Sequence, residues 1–172
     1  MDTKGKEVIG VIGGSGIDQL DGLEGVRQET VVTPFGSPSD ALILARLGQQ
    51  DLVFLPRHGR GHRIPPSQIN FRANIYALKM MGCTQIISLS AVGSLKEEIC
   101  PGTFVVIDQF IDRTFSRTKS FFDSGLVCHV ALGNPVCDRL RERLLSAAQA
   151  SGVDAIDGGT YLAMEGPQFS TR

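Results

Sequence analysis

Residues 41–63 read ALILARLGQQDLVFLPRHGRGHR. Two apolar runs, 41–47 and 52–56, flank Gly48-Gln49-Gln50-Asp51, a turn-forming composition, so the pair is predicted to be a β-hairpin. The second run leads directly into a loop rich in Arg, His and Pro that continues to Pro66. Upstream, residues 7–12 (EVIGVI) form a short, mostly apolar run of the kind a buried strand needs. That run ends at Gly13-Gly14-Ser15-Gly16, and Pro34, Gly36 and Pro38 then mark a loop before the hairpin. Downstream, Ser67 is placed to cap a helix running to about Met81. Ile69, Ala73, Tyr76, Ala77 and Met80 would form its apolar stripe, and Gly82 its stop. Residues 85–89 (QIISL) are a further strand, followed by Ser90-Ala91-Val92-Gly93-Ser94.

The remainder has the same alternating character. Residues 104–107 form a short apolar strand, and 110–124, polar with four phenylalanines, are expected to be irregular surface. An extended stretch is expected at 127–132. The clearest helix is 135–151, with Asn134 as N-cap, Pro135 at the first helical position and Gly152 beyond its end. Residues 160–164 are a last strand. Strands and helices that alternate around one early hairpin predict an α/β domain with a mixed central β-sheet flanked by helices. Ligands in open α/β folds bind outside the carboxyl ends of the strands.

A chain of 172 residues is about one domain, so a single domain over 1–172 is expected. Hydrophobic residues at 42% and charged residues at 20% suffice for a packed core and a solvated surface. The net charge of −1 argues against a nucleic-acid partner. The one basic cluster, Arg57, Arg60 and Arg63, suits a single phosphate better than a polyanion. Cys83, Cys100, Cys128 and Cys137 form no CxxC pair, so they are expected to be reduced and mostly buried thiols, and no metal site is expected. The first apolar run is too short for a signal peptide, and no run approaches the ~18 residues that span a membrane, so a cytoplasmic protein is expected.

Three segments carry the chemistry. Glycines after a buried strand let backbone N–H groups turn toward an anion, and Ser15 adds a hydroxyl donor. The segment is neither a dinucleotide fingerprint, because Gln19 stands at the third glycine's place, nor a Walker loop, because no GK[ST] follows. In Arg57-His58-Gly59-Arg60-Gly61-His62-Arg63, arginine forks match phosphate oxygens and a histidine can donate beside them. Arg63, taken alone, reads as facing solvent or an internal carboxylate. At 90–94, small residues allow close backbone approach, and Ser90 offers a hydroxyl. Each segment follows a predicted strand.

With these segments on the page, the chain resembles the 5′-methylthioadenosine phosphorylases of the trimeric purine nucleoside phosphorylase superfamily. The resemblance is carried by VIGGSGI (11–17), TPFGSPSDA (33–41), LPRHGRGHRIPPSQINFRANIYALK (55–79), SAVGSL (90–95), IDQFIDRT (107–114), SFFD (120–123) and MEGPQFSTR (164–172). It implies that Ser15, Arg57, His58, Ser90 and the backbone of Ala91 bind phosphate. It implies that Phe169 stacks on the purine, that Ser170 lies near the base, and that His129 reaches into a neighbouring subunit's pocket in a homotrimer. Serine stands at 15 and 90 where relatives often have threonine, which keeps the hydroxyl. Serine at 170, rather than glutamate, fits a 6-aminopurine.

The implied reaction is phosphorolysis of methylthioadenosine, or of a related purine nucleoside, to free base and 5-methylthioribose 1-phosphate (or ribose 1-phosphate). It is a glycosyl transfer in purine and methionine salvage. Inorganic phosphate is co-substrate and nucleophile, so no organic cofactor and no metal is expected, and no catalytic side chain is assigned. The resemblance also implies that the fold is incomplete at the C-terminus, lacking about a hundred residues beyond Arg172 that would complete the site, so the chain alone is expected to be inactive. Two alternatives stand beside this reading: a histidine-phosphatase-like enzyme phosphorylated on His58, since LPRHGR contains that family's RHG motif, and an inactive phosphate-binding fragment.

Overall fold

The computed structural model describes residues 7–14, 16, 20–123 and 125–166. The chain forms two compact units, Met1–Ala91 and Val92–Arg172.

The first unit is built on a five-stranded sheet. Its strands are β1 (Val8–Gly13), β2 (Leu23–Glu29), β3 (Leu42–Leu47), β4 (Gln50–Pro56) and β5 (Gln85–Ser88), in the order β2-β3-β4-β1-β5. β3 pairs antiparallel with both β2 and β4, whereas β4, β1 and β5 run parallel. The sheet is therefore mixed, as the early hairpin predicts. Leu47 pairs with Gln50 across a two-residue turn at Gly48-Gln49, shorter than the four-residue connection expected. Gly48 takes φ 58° there, a conformation glycine adopts without strain.

Alternation along β3 and β4 sends side chains to two faces. Leu42, Val53 and Leu55 join Ala77, Leu78 and Cys83 in one cluster. Ile43, Ala45, Leu52 and Phe54 join Val11 in the other. Burial on both faces explains why β4 reads as an unbroken apolar run. Helix α1 (Phe71–Met80) covers the first cluster. It approaches β1 most closely at Gly10, where a Cβ would meet both Leu78 methyl groups at 3.3 Å.

Helix α1 starts later than predicted and presents a different face. Pro66–Gln68 form a 3₁₀ turn that takes up Ser67, and Ile69 is extended. Asn70 is the cap: its Oδ1 accepts the Ala73 N–H at 3.1 Å, and its carbonyl accepts the first helical bond, from Asn74. The buried helical residues are Ala73, Asn74, Ala77 and Leu78, while Tyr76 and Met80 are exposed. The stripe is turned because Asn74 is an inward polar residue with partners waiting. Its Oδ1 accepts the Ser39 N–H at 2.8 Å, and its Nδ2 donates to Ser39 Oγ at 2.9 Å.

The second unit contains two parallel strand pairs. β6 (Phe104–Val106) pairs with β8 (Ala155–Asp157), and β7 (Gln109–Asp112) with β9 (Thr160–Ala163). Helix α2 (Asp138–Ala150) lies beside β8 and β6. It begins three residues later than Pro135, because its first ladder bond runs from the Arg141 N–H to the Cys137 carbonyl at 2.9 Å. Asp138 then lies in the first turn, where a carboxylate suits the helix dipole. Gly152, at φ 68°, follows the helix as expected. Residues 127–132 form no strand, and part of the segment expected to be irregular is β7.

No cysteine is paired, but Cys83 alone of the four is buried, against the expectation of mostly buried thiols. Burial pushes its thiol up to about 11, which makes it a packing residue rather than a nucleophile. Cys100, Cys128 and Cys137 fall in the loosely packed second unit and are exposed. Among the described residues, no helix is long and apolar enough to cross a membrane.

Candidate phosphate site at the carboxyl ends of the parallel strands

Three of the segments singled out in the sequence leave the sheet side by side, because β4, β1 and β5 are adjacent and parallel. Backbone bonds lock their ends together. The Arg57 N–H donates to the Gly13 carbonyl at 3.0 Å, and the Leu89 N–H donates to the Ile12 carbonyl at 2.8 Å. One side chain closes the group, with Arg57 Nη1 donating to the Leu89 carbonyl at 2.7 Å. The guanidinium is thereby fixed at the start of the Ser90-Ala91 segment. A guanidinium has five N–H donors in a planar fork, so one backbone contact orients it and leaves further donors for an anion.

His58, 8% exposed, is held next to it. Its Nδ1 lies 2.9 Å from the Ile64 carbonyl. A carbonyl only accepts, so the ring proton sits on Nδ1. Nε2 can then accept a hydrogen bond on a neutral ring and donate one on an imidazolium. The His62 ring stacks on that of His58 at a centroid distance of 4.2 Å. The 57–63 loop needs unusual backbone to do this, with Gly59 at φ 69° and His62 at φ 55°.

Arg57, His58, Ser90 and Ala91 thus all belong to the first unit, with Ser90 and Ala91 exposed directly after Leu89. Ser15, Phe169 and Ser170 lie outside the described residues. His129 belongs to the second unit, exposed in a stretch without regular structure. Near the end of the described residues, the Glu165 carboxylate accepts the Ser116 N–H at 2.9 and 3.0 Å and lies 3.7 Å from Arg117 Nε. Burial works against its charge, yet the backbone N–H groups of Phe115 and Ser116 and the Arg117 charge hold its carboxyl below the ordinary range.

Sequence reading did not single out Asp40. Its Oδ2 accepts the Arg60 N–H at 2.6 Å and faces Arg63 Nη2 at 3.3 Å. Burial opposes ionisation, but the N–H groups of Arg60 and Ala41 and the charges of Arg63 and Arg60 outweigh it, so its carboxyl titrates below its ordinary value. The internal carboxylate that Arg63 called for is this residue. An acidic side chain in TPFGSPSDA, ahead of a basic loop, was the available signal.

Arg57, His58 and the small residues Ser90 and Ala91 thus gather at the carboxyl ends of adjacent parallel strands, where open α/β folds bind ligands. The chain belongs to the phosphorylase superfamily, whose family model matches residues 8–172. It is similar to S-methyl-5′-thioadenosine phosphorylases. The one from Cereibacter sphaeroides is 55% identical over 166 residues, covering 96% of this chain and 57% of that protein. The one from Danio rerio is 50% identical, covering 100% of this chain and 63% of that protein. Among solved structures, a methylthioadenosine phosphorylase from an Antarctic soil metagenomic library superposes with a TM-score of 0.92 at 42% identity, over 97% of this chain and 60% of that one. The apo methylthioadenosine phosphorylase of Schistosoma mansoni gives 0.90 at 40% identity, over 97% and 66%. The chain spans about three fifths of the length of the curated relatives it matches. These similarities do not favour the histidine-phosphatase alternative for His58.

Proposed function

We propose that this chain supplies the phosphate-binding part of a phosphorylase that cleaves 5′-methylthioadenosine with phosphate, giving adenine and 5-methylthioribose 1-phosphate. The observation that carries the reading is the Arg57 guanidinium, tied to the Leu89 carbonyl where the ends of β4, β1 and β5 meet. Phosphate held there by Arg57, His58, Ser15, Ser90 and the Ala91 N–H is positioned to attack the anomeric carbon. The N-glycosidic bond breaks through an oxocarbenium-like state, and the phosphate oxygen bonds as the base departs. The protein's contribution is orientation and electrostatic stabilisation. No protein nucleophile, metal or organic cofactor is needed. Phe169 and Ser170 face the purine in this reading, and the similarity to methylthioadenosine phosphorylases favours the 6-amino base.

His129 completes a neighbour's nucleoside pocket in a cytoplasmic homotrimer. The 82% exposure of Phe115 supports a subunit interface in this region, since aromatic residues are enriched at interfaces. The test is the phosphate dependence of base release by the full-length protein. Adenine should appear from methylthioadenosine only when phosphate is supplied, with the pentose recovered as its 1-phosphate. Release at the same rate without phosphate would identify a hydrolase instead.

A further inference from the structure

We propose that Asp40 is a positioning residue for the phosphate site, holding the 57–63 loop in the one shape that presents Arg57 and His58 together. The inference rests on the phosphate reading above. It starts from helix α1, where Asn74, 2% exposed, grips Ser39 through both halves of its amide. Asp40 is the next residue, so its carboxylate is fixed relative to the helix and the sheet. Its Oδ1 accepts the Ala41 N–H at 2.8 Å. Its Oδ2 accepts the Arg60 N–H at 2.6 Å and lies 3.3 Å from Arg63 Nη2, which also donates to the Ser39 carbonyl at 3.3 Å.

The loop needs such a hold. Gly59 sits so close that a Cβ would stand 2.8 Å from Arg63 Nε and 3.1 Å from the Ser39 carbonyl. His62, a non-glycine residue, is kept at positive φ. The loop closes on itself through the Ile64 N–H to the His58 carbonyl at 2.9 Å and the His62 N–H to the Gly59 carbonyl at 3.0 Å. Asp40 ties this closed loop, at Arg60 and Arg63, to the segment that leads into β3. The Arg63 side chain is 62% exposed, so its ion pair with Asp40 adds little stability by itself. The bond to the Arg60 N–H fixes geometry, and a positional error of about 1 Å at a site of this kind costs on the order of 100-fold in rate.

The test uses the full-length protein and inorganic phosphate. Asp40→Asn keeps an acceptor for the Arg60 N–H and loses the charge facing Arg63, whereas Asp40→Ala loses both. The phosphate KM should rise about threefold in Asp40→Asn and about tenfold in Asp40→Ala, the latter as expected for one lost charge-assisted hydrogen bond. The nucleoside KM should stay within about twofold in both, since the contact acts on the phosphate loop. Equal rises in the two constants, or an unchanged phosphate KM, would overturn the role. Should Asp40→Ala not fold, Arg63→Gln reads the same link from the other side. The Asp40→Asn/Arg63→Gln pair should then raise the phosphate KM no further than the larger single change, while full additivity would show that the two act separately. A wild type that needs no phosphate sinks the phosphorolysis reading and this inference together. A phosphate-dependent wild type with a flat phosphate KM in Asp40→Ala sinks this inference alone.

Discussion

Arg57→Ala is expected to raise the apparent constant for phosphate by roughly 30- to 1000-fold while moving that for nucleoside far less. The range corresponds to about 2–4 kcal/mol, the usual cost of losing a charge-assisted bidentate contact. The expectation is tied to position. Arg57 follows β4 directly, its N–H is bonded to Gly13 on β1, and its guanidinium is bonded to Leu89 beyond β5. Alanine leaves the strand pairing in place, because the backbone bond to Gly13 survives. The loss should therefore appear in phosphate affinity and not in the thermal midpoint. Lysine should recover only part of it, since an ammonium lacks the planar fork that meets a carbonyl and an anion at once. Steady-state kinetics with phosphate and nucleoside varied separately measures both effects. An unchanged phosphate constant would remove Arg57 from the site.

Phe54→Ala should destabilise the folded protein by about 3–5 kcal/mol, as large-to-small changes at fully buried aromatics do. Phe54 is 1% exposed in the centre of β4, paired with Val11 on one side and Ile43 on the other. It is the largest side chain in its cluster, so alanine leaves a cavity that a sheet bonded on both edges cannot close. A domain's whole stability is about 5–15 kcal/mol, so the variant should sit near its folding threshold. Urea titration should show a much lower midpoint with an unchanged slope. A loss below about 1 kcal/mol would mean that the cavity collapses. Because Phe54 lies three residues before Arg57, which directly follows the same strand, any residual activity should show weakened phosphate binding as well.

The fold was legible where burial made the sequence repetitive. β1, β3 and β4 announce themselves as apolar runs, and the Gly48 turn sets the hairpin. β2 (LEGVRQE) was not legible, because an exposed edge strand carries charges on both faces. A register shift between Glu24 and Arg27, with Gly25 at φ 61°, breaks its alternation further. β7 and β8 are too short to show a period, and each is defined by a partner about fifty residues away in sequence. The helix starts shifted for local reasons: prolines diverted Ser67 into a 3₁₀ turn, and Asn70 made the capping bond instead. Of the candidate residues, Arg57, His58 and Ser90 could be picked out because they follow strand ends, while the Ala91 backbone was named through the family resemblance alone. Ser39 and Asn74 could not, since their contact joins residues 35 positions apart, and Asp40, 20 positions from Arg60, offered only an acidic side chain ahead of a basic loop. Only the fold brings those residues together.

The most direct measurement is the position of phosphate in a crystal of the full-length protein grown with phosphate and no sulfate. One tetrahedral anion should lie within hydrogen-bond reach, about 2.7–3.2 Å, of the Arg57 guanidinium and the Ala91 N–H, with His58 Nε2 alongside. It should be absent from the same site in Arg57→Ala crystals grown identically. Phosphate bound away from the carboxyl ends of β4, β1 and β5, with that corner closed or filled by protein, would contradict the account.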